Sequence, residues 1–479
     1  MTGARLIGLD VGTSSAKGVA IDEHGRLLAD AERSYPVSMP RSGWSEQDPE
    51  QWWQASQTVL AELDAPAADG IGLTGQMHGL VALDAGRRPL RPAILWNDGR
   101  SQGHADEIER RLGVPRLVQL SGNRVLAGFT APKLAWMAEH EPNLFDQIAH
   151  VLLPKDYVRL RLCDTLSTDV SDASGTSLFD VAARGWSPEL TAAFGVDPAW
   201  LPAAQESNQV SGHAFGGVPV AAGAGDQAAA ALGVGVTGAD GPASVVLGTS
   251  GVVFAARDVY GADPDGRLHA FCHALPGRWH VMAVILAAAG ALAWLQTILG
   301  GDVAIETLLA EAERWEPGVE GLTFAPYLSG ERTPHADAAV RGAFVGLGVR
   351  HDRGALARAL LEGVAHALAD GLDLIAATGP RPGFARISGG GARSQLWCRI
   401  VASVLDVPLQ RTSSTAGSAF GAALLGGVAA GVFESAQAAA DATVAVTGEI
   451  DPDPAWVERY ADRRARFRAL YPALSALPD

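Results

Sequence analysis

One short pattern occurs twice in this sequence, and its repetition restricts the possible folds more than any other feature. Residues 5–15 read as a strand that ends at Asp10, a Gly-Thr-Ser turn and the start of a second strand, and residues 244–254 repeat that order. Thr249 lies 236 positions after Thr13, about half of the 479-residue chain. Because internal repetition indicates repeated structural units, we expect two similar domains that each open with a β-hairpin.

Chain length supports this division. A single hydrophobic core stops growing at roughly 250–300 residues, so a chain of this length is expected to split into two domains. A turn-rich stretch, TGADGP at 237–242, lies between the two halves, and its Gly, Asp and Pro residues favour turns over helices and strands. We place the boundary there and predict domains at residues 1–238 and 239–479.

Helix and strand signals alternate in both halves. A helix-start signal at Asp48 is followed by a short apolar strand at 71–74. In the second half, leucine and valine at four-residue intervals predict a long helix over 353–377. A strand at 385–387, a glycine-rich turn and a helix over 395–405 come next. This order predicts an α/β protein with mixed strand directions.

Charge and composition exclude several classes of function. The formal net charge of −16 would repel a phosphate backbone, so we expect no nucleic-acid partner. Residues 281–301 carry no charge, but their Ala and Gly content and two polar side chains predict a buried helix and no membrane partner. The three cysteines lack redox or zinc spacing and no export signal is recognisable, so we expect a cytoplasmic protein.

The two repeated turns could hold the phosphates of a nucleotide. Glycine lets a ligand approach the backbone closely, and such a turn offers several N–H groups and hydroxyls in one direction. Asp10 ends the strand before the first turn, where a carboxylate could hold Mg²⁺ against those phosphates. Each turn alone is more typical of an ordinary hairpin, and Asp10 alone could equally form an Asx turn. Their repetition in matching context favours a phosphate site.

Asp226 stands where a glycine-rich turn becomes an alanine-rich helix. It could cap the helix, or it could be a general base whose small neighbours let a substrate hydroxyl approach. Phosphoryl transfer has a loose transition state, so an aspartate of ordinary pKa would suffice to orient the hydroxyl and accept its proton.

Two glycine-bounded segments could bind the substrates. The segment GQMHG at 75–79 places Gln76, Met77 and His78 at a strand end, which suits a small polyol, although a single histidine is more often structural. The triple glycine at 389–391 precedes a helix and could accept the ribose or base of a nucleotide. It is neither a dinucleotide fingerprint nor a Walker loop.

Together these segments resemble the FGGY family of carbohydrate kinases over essentially the whole chain. Two segments look like the family signatures: GFTAPKLAWMAEH at 128–140, and FVGLGV at 344–349 with the helix that follows. Further matches lie at 43–49, 95–100, 168–174 and 326–334. Within the family, the resemblance is greatest to members that phosphorylate the pentulose D-xylulose.

The resemblance implies an α/β fold of two similar ribonuclease-H-like domains, of the actin, hexokinase and heat-shock ATPase type, with a cleft between them. The first domain would bind mainly the sugar and the second mainly the nucleotide. The implied reaction uses ATP and Mg²⁺ to convert D-xylulose to D-xylulose 5-phosphate. Because the family often forms dimers, a homodimer is a further expectation.

The resemblance also implies roles for individual residues. Asp226 would be the catalytic base, and Asp10 and Asp226 would position Mg²⁺. The residues expected to contact the sugar are Gln76, Met77, His78, Trp96, Asp226 and Gln227. Those expected to contact ATP are Gly12, Thr13, Ser14, Gly248, Thr249, Gly389, Gly390, Gly391 and Ser394.

Gln227 leaves the choice of sugar open. Some family members specific for D-xylulose carry Asn after the base, whereas the glycerol kinases carry Gln, so ribulose, glycerol or another polyol, and gluconate stay as alternatives. The glycerol kinases have Arg-Glu at the positions of Gln76 and Met77, which favours D-xylulose here. A nucleotide-gated sugar sensor or a chaperone-like ATPase would need no Asp226, and two domains leave no length for a peptide-binding domain.

Overall fold

The computed structural model describes residues 3–414 and 417–477. In the first half of the chain the strands are β1 (Leu6–Val11), β2 (Ser15–Ile21), β3 (Leu27–Ser34), β4 (Glu46–Gln47), β5 (Gly70–Gly75), β6 (Val81–Leu83), β7 (Ala93–Ile94), β8 (His150–Leu152), β9 (Ser167–Asp169), β10 (Phe179–Asp180), β11 (Gly185–Trp186), β12 (Ala203–Gln205), β13 (Val210–Ala214), β14 (Val218–Ala221) and β15 (Ala224–Gly225). The helices there are α1 (Pro49–Glu62), α2 (Gln102–Leu112), α3 (Val114–Ser121), α4 (Thr130–His140), α5 (Pro142–Phe145), α6 (Pro154–Cys163), α7 (Val170–Ala173), α8 (Pro188–Ala193) and α9 (Asp226–Gly233).

In the second half the strands are β16 (Ala243–Leu247), β17 (Gly251–Arg257), β18 (His269–Cys272), β19 (Trp279–Ile285), β20 (Thr323–Ala325), β21 (Ala343–Val345), β22 (Ala385–Ser388), β23 (Leu409–Thr412) and β24 (Val446–Ile450). The helices are α10 (Ala289–Ile298), α11 (Ile305–Ala312), α12 (Arg353–Ala377), α13 (Gln395–Leu405), α14 (Gly417–Ala429), α15 (Ala436–Thr443), α16 (Pro454–Arg468) and α17 (Leu470–Ser475).

Two large sheets have matching strand orders, and this confirms the prediction of two similar α/β domains. The first sheet runs β3-β2-β1-β5-β14-β13, and the second contains β19-β17-β16-β22-β23-β24. In both sheets the opening hairpin is antiparallel and the strand on its other side is parallel to the first. The last strand of each series is again antiparallel to its neighbour. The repeated sequence pattern therefore lies at the same place in both sheets.

The hairpins form where the sequence pattern predicts them. β1 is LIGLDV, with apolar side chains directed to both faces, and five of its six residues are buried. A strand buried on both faces is expected where helices cover the two sides of a sheet. Helix α1 begins as its sequence indicates, because the Asp48 carboxylate accepts the Glu50 N–H at 3.0 Å and Pro49 follows it.

Helix α14 packs against the first sheet although it lies in the chain between β23 and β24 of the second. Its backbone approaches β1 so closely that a Cβ added to Gly8 would lie 1.8 Å from the Ala419 carbonyl oxygen. A Cβ on Gly421 would lie 1.8 Å from the Ala229 carbonyl oxygen of α9. The side chains of α14 and α15 share a core with β1, β2 and α9. The domain boundary at 238/239 stays a prediction. Helix α14 belongs to the second part of the chain by sequence but packs against the sheet of the first part.

The uncharged stretch at 281–301 does not form the single buried helix that its composition predicts. It contains most of β19 and then α10, with a break at Ala288, whose φ is −125° and ψ is −102°. The β-branched residues at 281–285 lie in a sheet, and the Ala and Leu residues after them form the helix. Within the described ranges, no helix combines the length and apolar character needed to cross a membrane.

Candidate active site

The turn between β1 and β2 is fixed through its carbonyl groups. The Gly12 carbonyl accepts the Tyr35 hydroxyl at 2.6 Å, and the Thr13 carbonyl accepts the Gln47 side-chain amide at 2.7 Å. The backbone N–H groups of Thr13 and Ser14 have no hydrogen-bond partner in the part of the chain that the structure describes. A turn held in this way offers its N–H groups to an anion.

Gln76 and Trp96 both contact the hydroxyl of Thr13. The Thr13 hydroxyl donates to the Gln76 side-chain oxygen at 3.3 Å and accepts the Trp96 indole N–H at 3.0 Å. The amide nitrogen of Gln76 donates to the Gly12 carbonyl and to Gln47. Gln76 is therefore engaged behind the first turn, and its sugar contact stays a prediction. Trp96 is 39% exposed beside it.

The second turn and the triple glycine lie next to each other, as their shared role would require. The Gly248 carbonyl accepts the N–H of Ala289 at 2.7 Å, so α10 begins against this turn. The N–H of Thr249 has no partner among residues 3–414 and 417–477. Gly389 has a φ of +88°, and a Cβ on it would lie 2.6 Å from the Leu247 carbonyl carbon and oxygen. Only glycine fits this position without strain.

The remaining residues of that turn differ in how accessible they are to a ligand. A Cβ on Gly390 would meet no atom within 4 Å, so this residue is open to a ligand. Gly391 packs against Leu247 and the ring of Trp397, which lie 2.8 Å from the position of its missing Cβ. Ser394 caps α13 by accepting the Trp397 N–H at 3.2 Å. The nucleotide contacts of these residues stay predictions.

Asp226 is the first residue of α9, and Gly225 occupies the capping position before it. The carboxylate is half-buried and accepts the N–H of Gln227 at 2.7 Å. Burial, reinforced by the negative charge of Asp10, raises the pKa of Asp226 to about 7. The sequence alone does not indicate this shift of the Asp226 pKa, because neither the depth of the site nor the nearby carboxylate of Asp10 is visible there.

Asp10 has one engaged and one free carboxylate oxygen. Its Oδ2 accepts the hydroxyl of Ser418 at 2.6 Å, whereas its Oδ1 is buried with no hydrogen-bond partner in the described residues. Burial raises the pKa of Asp10 above its usual value. A cation at this oxygen would relieve both the desolvation of Asp10 and its repulsion of Asp226. The residues present therefore fit a divalent cation.

His78 is held in one orientation and one protonation state. Its φ is +69°, its ring is stacked on Phe129 with the centroids 4.4 Å apart, and Nδ1 lies 2.6 Å from the Gly175 carbonyl oxygen. Burial lowers the pKa of His78 to about 3, so the ring is neutral and Nδ1 carries the hydrogen that it donates. Nε2 is then an acceptor, which suits a sugar hydroxyl.

Two side chains from α4 hold the backbone of His78. The buried Lys133 Nζ donates to the carbonyl oxygens of His78 at 2.8 Å and Gly128 at 2.7 Å, and the Thr130 hydroxyl donates to the His78 carbonyl at 3.1 Å. These bonds favour the left-handed backbone conformation that a non-glycine residue rarely adopts. Met77 then packs against Gly225, because a Cβ on Gly225 would lie 2.8 Å from its sulfur. The His78 segment therefore adjoins the residue before Asp226.

Two glycine turns with free backbone N–H groups, two carboxylates whose pKa values are raised by burial and a neutral histidine agree with the family that the sequence matches. Residues 5–233 match the N-terminal domain of the FGGY family of carbohydrate kinases, and residues 243–430 match its C-terminal domain. The chain belongs to this family. It is therefore an enzyme, a phosphotransferase that acts on a carbohydrate, and the family implies ATP as the phosphoryl donor.

Known proteins similar to this chain match it over nearly its full length. The xylulose kinase of Escherichia coli (strain K12) is 42% identical, with 98% of this chain and 99% of that protein covered. The crystal structure of a xyloylose kinase from Brucella ovis is 43% identical, with a TM-score of 0.94 and coverage of 99% and 100%. A gluconate kinase from Lactobacillus acidophilus is 24% identical, with a TM-score of 0.93 and coverage of 99% of both chains, and shares the fold.

Three residues of this family member gain an interpretation only from the structure. Ser418 contacts Asp10 across 408 positions of sequence, and no local pattern indicates that pair. Lys133 lies in the signature-like segment, but its contact with His78 depends on the tertiary fold. Gln47 stands beside a helix start, yet its amide supports the Thr13 carbonyl. Of these three residues, only Lys133 is marked by the local sequence, because it is a lysine within the apolar helix sequence PKLAWM.

We expect His78→Ala to weaken sugar binding and to change ATP affinity little, because the ring and its Nε2 acceptor are lost while both glycine turns stay intact. Gly175→Ala should act in the same direction, since a Cβ there would lie 2.4 Å from the His78 ring. The matched control is Gly185→Ala, whose Cβ would meet no atom within 4 Å. Calorimetric titration with sugar and with ADP measures both affinities. A selective loss of nucleotide affinity would contradict this assignment.

Proposed function

We propose that this chain transfers the γ-phosphoryl group of ATP to the terminal hydroxyl of D-xylulose, giving D-xylulose 5-phosphate and ADP. The observation that carries the chemistry is the half-buried Asp226 carboxylate, with a pKa near 7, beside the Met77-His78 segment. A general base is most effective when its pKa lies near the working pH. Similarity to xylulose kinases along the whole chain supports the choice of sugar.

In this proposal the sugar is oriented before it reacts. The Nε2 atom of His78 accepts a hydrogen bond from a sugar hydroxyl, and Asp226 accepts the proton of the terminal hydroxyl. The hydroxyl oxygen forms a bond to the γ-phosphorus while the bond from that phosphorus to the bridging oxygen breaks, and the electron pair leaves with ADP. The free N–H groups of Thr13, Ser14 and Thr249 bind phosphate oxygens and stabilise their charge.

We also propose that the divalent cation is Mg²⁺ and that Asp10 holds it through Oδ1, the buried oxygen without a partner in the described residues. Asp226 lies near enough for its charge to act on the same ion. Mg²⁺, when bound, supplies positive charge against the phosphate oxygens. Ser418 keeps the other oxygen of Asp10 in place.

One residue, Gln227, favours a sugar other than D-xylulose. Gln227 follows the base and is half-buried at the start of α9, and its side chain is longer than the Asn that some xylulose kinases carry there. The gluconate kinase that shares this fold indicates that the architecture alone does not select the sugar. Gluconate, ribulose and glycerol are therefore the competing substrates to test.

ADP release by the purified protein with Mg-ATP tests the proposal. The sugars to compare are D-xylulose, D-ribulose, L-ribulose, L-xylulose, glycerol and D-gluconate, with a no-sugar control. We expect strong stimulation by D-xylulose alone. Stimulation by another member would keep the reaction and change the substrate, whereas ATP hydrolysis indifferent to every sugar would favour a nucleotide-gated sensor.

We further propose a cytoplasmic homodimer. Cys163, Cys272 and Cys398 are all unpaired in the structure, which suits a reducing compartment. Size-exclusion chromatography with light-scattering detection measures the molar mass of the purified protein. At micromolar concentration we expect the mass of two chains, and the mass of one chain would contradict the dimer.

A further inference from the structure

Ser171 makes two buried hydrogen bonds that connect the base to a distant part of the first domain. Its hydroxyl donates to Asp169 Oδ1 at 2.5 Å and accepts the backbone N–H of Gly225 at 3.1 Å. Gly225 immediately precedes Asp226 in the chain. A single side-chain oxygen therefore holds the Ala224–Gly225 peptide group, one residue before the proposed base.

The acceptor of this bond is itself immobilised by charge. Asp169 Oδ2 lies 2.6 Å from the Lys155 ammonium nitrogen, which also lies 2.6 Å from Asp156 and 3.0 Å from Asp172. All four side chains are completely buried. Asp169 additionally caps α7 by accepting the N–H groups of Ser171 and Asp172. Breaking any of these contacts would leave a charge or a polar group unpaired away from water, so the cluster holds its geometry.

The peptide before Asp226 needs such support because its own residues supply little. The capping position of α9 is glycine, and no side chain caps the helix in the described structure. β15, which contains Gly225, is only Ala224–Gly225 long and pairs with the end of β5. The sulfur of Met77 also packs against Gly225. Ser171 and Met77 thus both confine this backbone, one by hydrogen bonding and the other by packing.

We propose that Ser171 is a positioning residue, held by Asp169 and Lys155, that aims the Asp226 carboxylate at the reacting hydroxyl. The proposal rests on the assignment of Asp226 as the base. Ser171 is completely buried and acts through the Ala224–Gly225 peptide group. Misplacement of a reacting group by about 1 Å can lower a rate by about 100-fold, so loss of this bond should reduce turnover far more than sugar affinity.

The test compares Ser171→Ala and Ser171→Thr with a matched control, Ser167→Ala. The Ser167 hydroxyl is also buried and bonds Ser211 at 2.6 Å, but it does not contact the α9 segment. For Ser171→Ala we expect kcat to fall by roughly 10- to 100-fold with the KM for sugar within about threefold of wild type. Ser171→Thr, which keeps the hydroxyl, should recover most of kcat, and Ser167→Ala should keep nearly all of it.

A double-mutant cycle with Asp226→Asn separates positioning from other roles. If Ser171 acts through Asp226, adding Ser171→Ala to Asp226→Asn should leave the residual rate unchanged. An equal fold-loss in both backgrounds, a normal kcat in Ser171→Ala, or a change confined to KM would each overturn the proposal. If Asp226→Asn itself turns over normally, the proposed function fails instead, and Ser171 loses its role with it.

Thermal unfolding shows whether each variant is folded at the assay temperature. If Ser171→Ala does not fold, Ser171→Cys replaces it, because a thiol is nearly isosteric and a weaker hydrogen-bond partner. The expectations for Ser171→Cys are the same in direction and smaller in size. Positioning by the hydroxyl would be contradicted by two results together. These are a normal kcat in a folded Ser171→Cys and a loss of turnover in Ser171→Thr.

Discussion

Asp226→Asn is expected to lower phosphoryl transfer by several orders of magnitude while leaving the protein folded. The amide occupies the same space as the carboxylate but cannot accept the hydroxyl proton, so the group that orients and deprotonates the sugar is lost. Single-turnover rates with D-xylulose and Mg-ATP measure the effect. Asp240→Asn, the same change at an exposed position, is the control and should behave as wild type. Near-normal turnover of Asp226→Asn would remove Asp226 from the mechanism.

The same substitution should stabilise the protein in the absence of ligands. Burial and Asp10 raise the pKa of Asp226 to about 7, so its charge is less favourable in the folded chain than in the unfolded one. A carboxyl whose pKa rises on folding costs stability above its unfolded pKa. The advantage of Asp226→Asn should therefore be absent near pH 4, grow as the pH rises to about 7, and stay constant above it.

Unfolding midpoints measured with EDTA present, in wild type and variant over this pH range, give the difference directly. Asp240→Asn controls for the general effect of removing one negative charge. An active-site carboxylate that costs stability is typical of enzymes, because catalysis requires groups that the fold alone would not favour. A midpoint difference that does not depend on pH would contradict the raised pKa.

Elements with a long apolar periodicity could be predicted closely from the sequence. α12 covers Arg353–Ala377, the bounds that its periodicity predicts, and α13 covers Gln395–Leu405, the bounds predicted after the glycine-rich turn. The prediction of one helix over 281–301 is wrong because this uncharged run carries no single periodicity. Only tertiary context separates β19 from α10. Local pattern is thus sufficient where one periodicity runs through a whole element, even in the largely buried α12, and insufficient where a strand gives way to a helix within one uncharged run.

The candidate site was predictable in its residue types but not in its supporting contacts. Asp10, Asp226 and the glycine turns stand in local patterns that chemistry makes recognisable. Ser418 and Ser171 do not, because each acts on a carboxylate or peptide far away in sequence, Ser418 on Asp10 and Ser171 on Gly225. The raised pKa of Asp226 has the same origin, since it depends on burial and on a charge brought close only by folding. The physical reason is that supporting contacts are tertiary, whereas turns and strand ends are local.

Gly421→Ala is expected to have the largest effect on stability. A Cβ at this position would lie 1.8 Å from the Ala229 carbonyl oxygen, so α14 and α9 would have to move apart. Because backbone groups of two helices meet here, no flexible side chain can yield. Overpacking of this kind costs about 1–3 kcal/mol or more, and we expect the unfolding midpoint to fall by on the order of 10 °C.

The displacement should also reach the active site, because α14 carries Ser418 and therefore one of the contacts of Asp10. Gly421→Ala should accordingly lose activity at temperatures where it is still folded. Gly103→Ala is the matched control: this helical glycine is exposed, a Cβ on it would meet no atom within 4 Å, and alanine favours the helix. Its midpoint should be equal to wild type or slightly higher. An unchanged midpoint in Gly421→Ala would mean that α14 and α9 do not approach as closely as the structure has them.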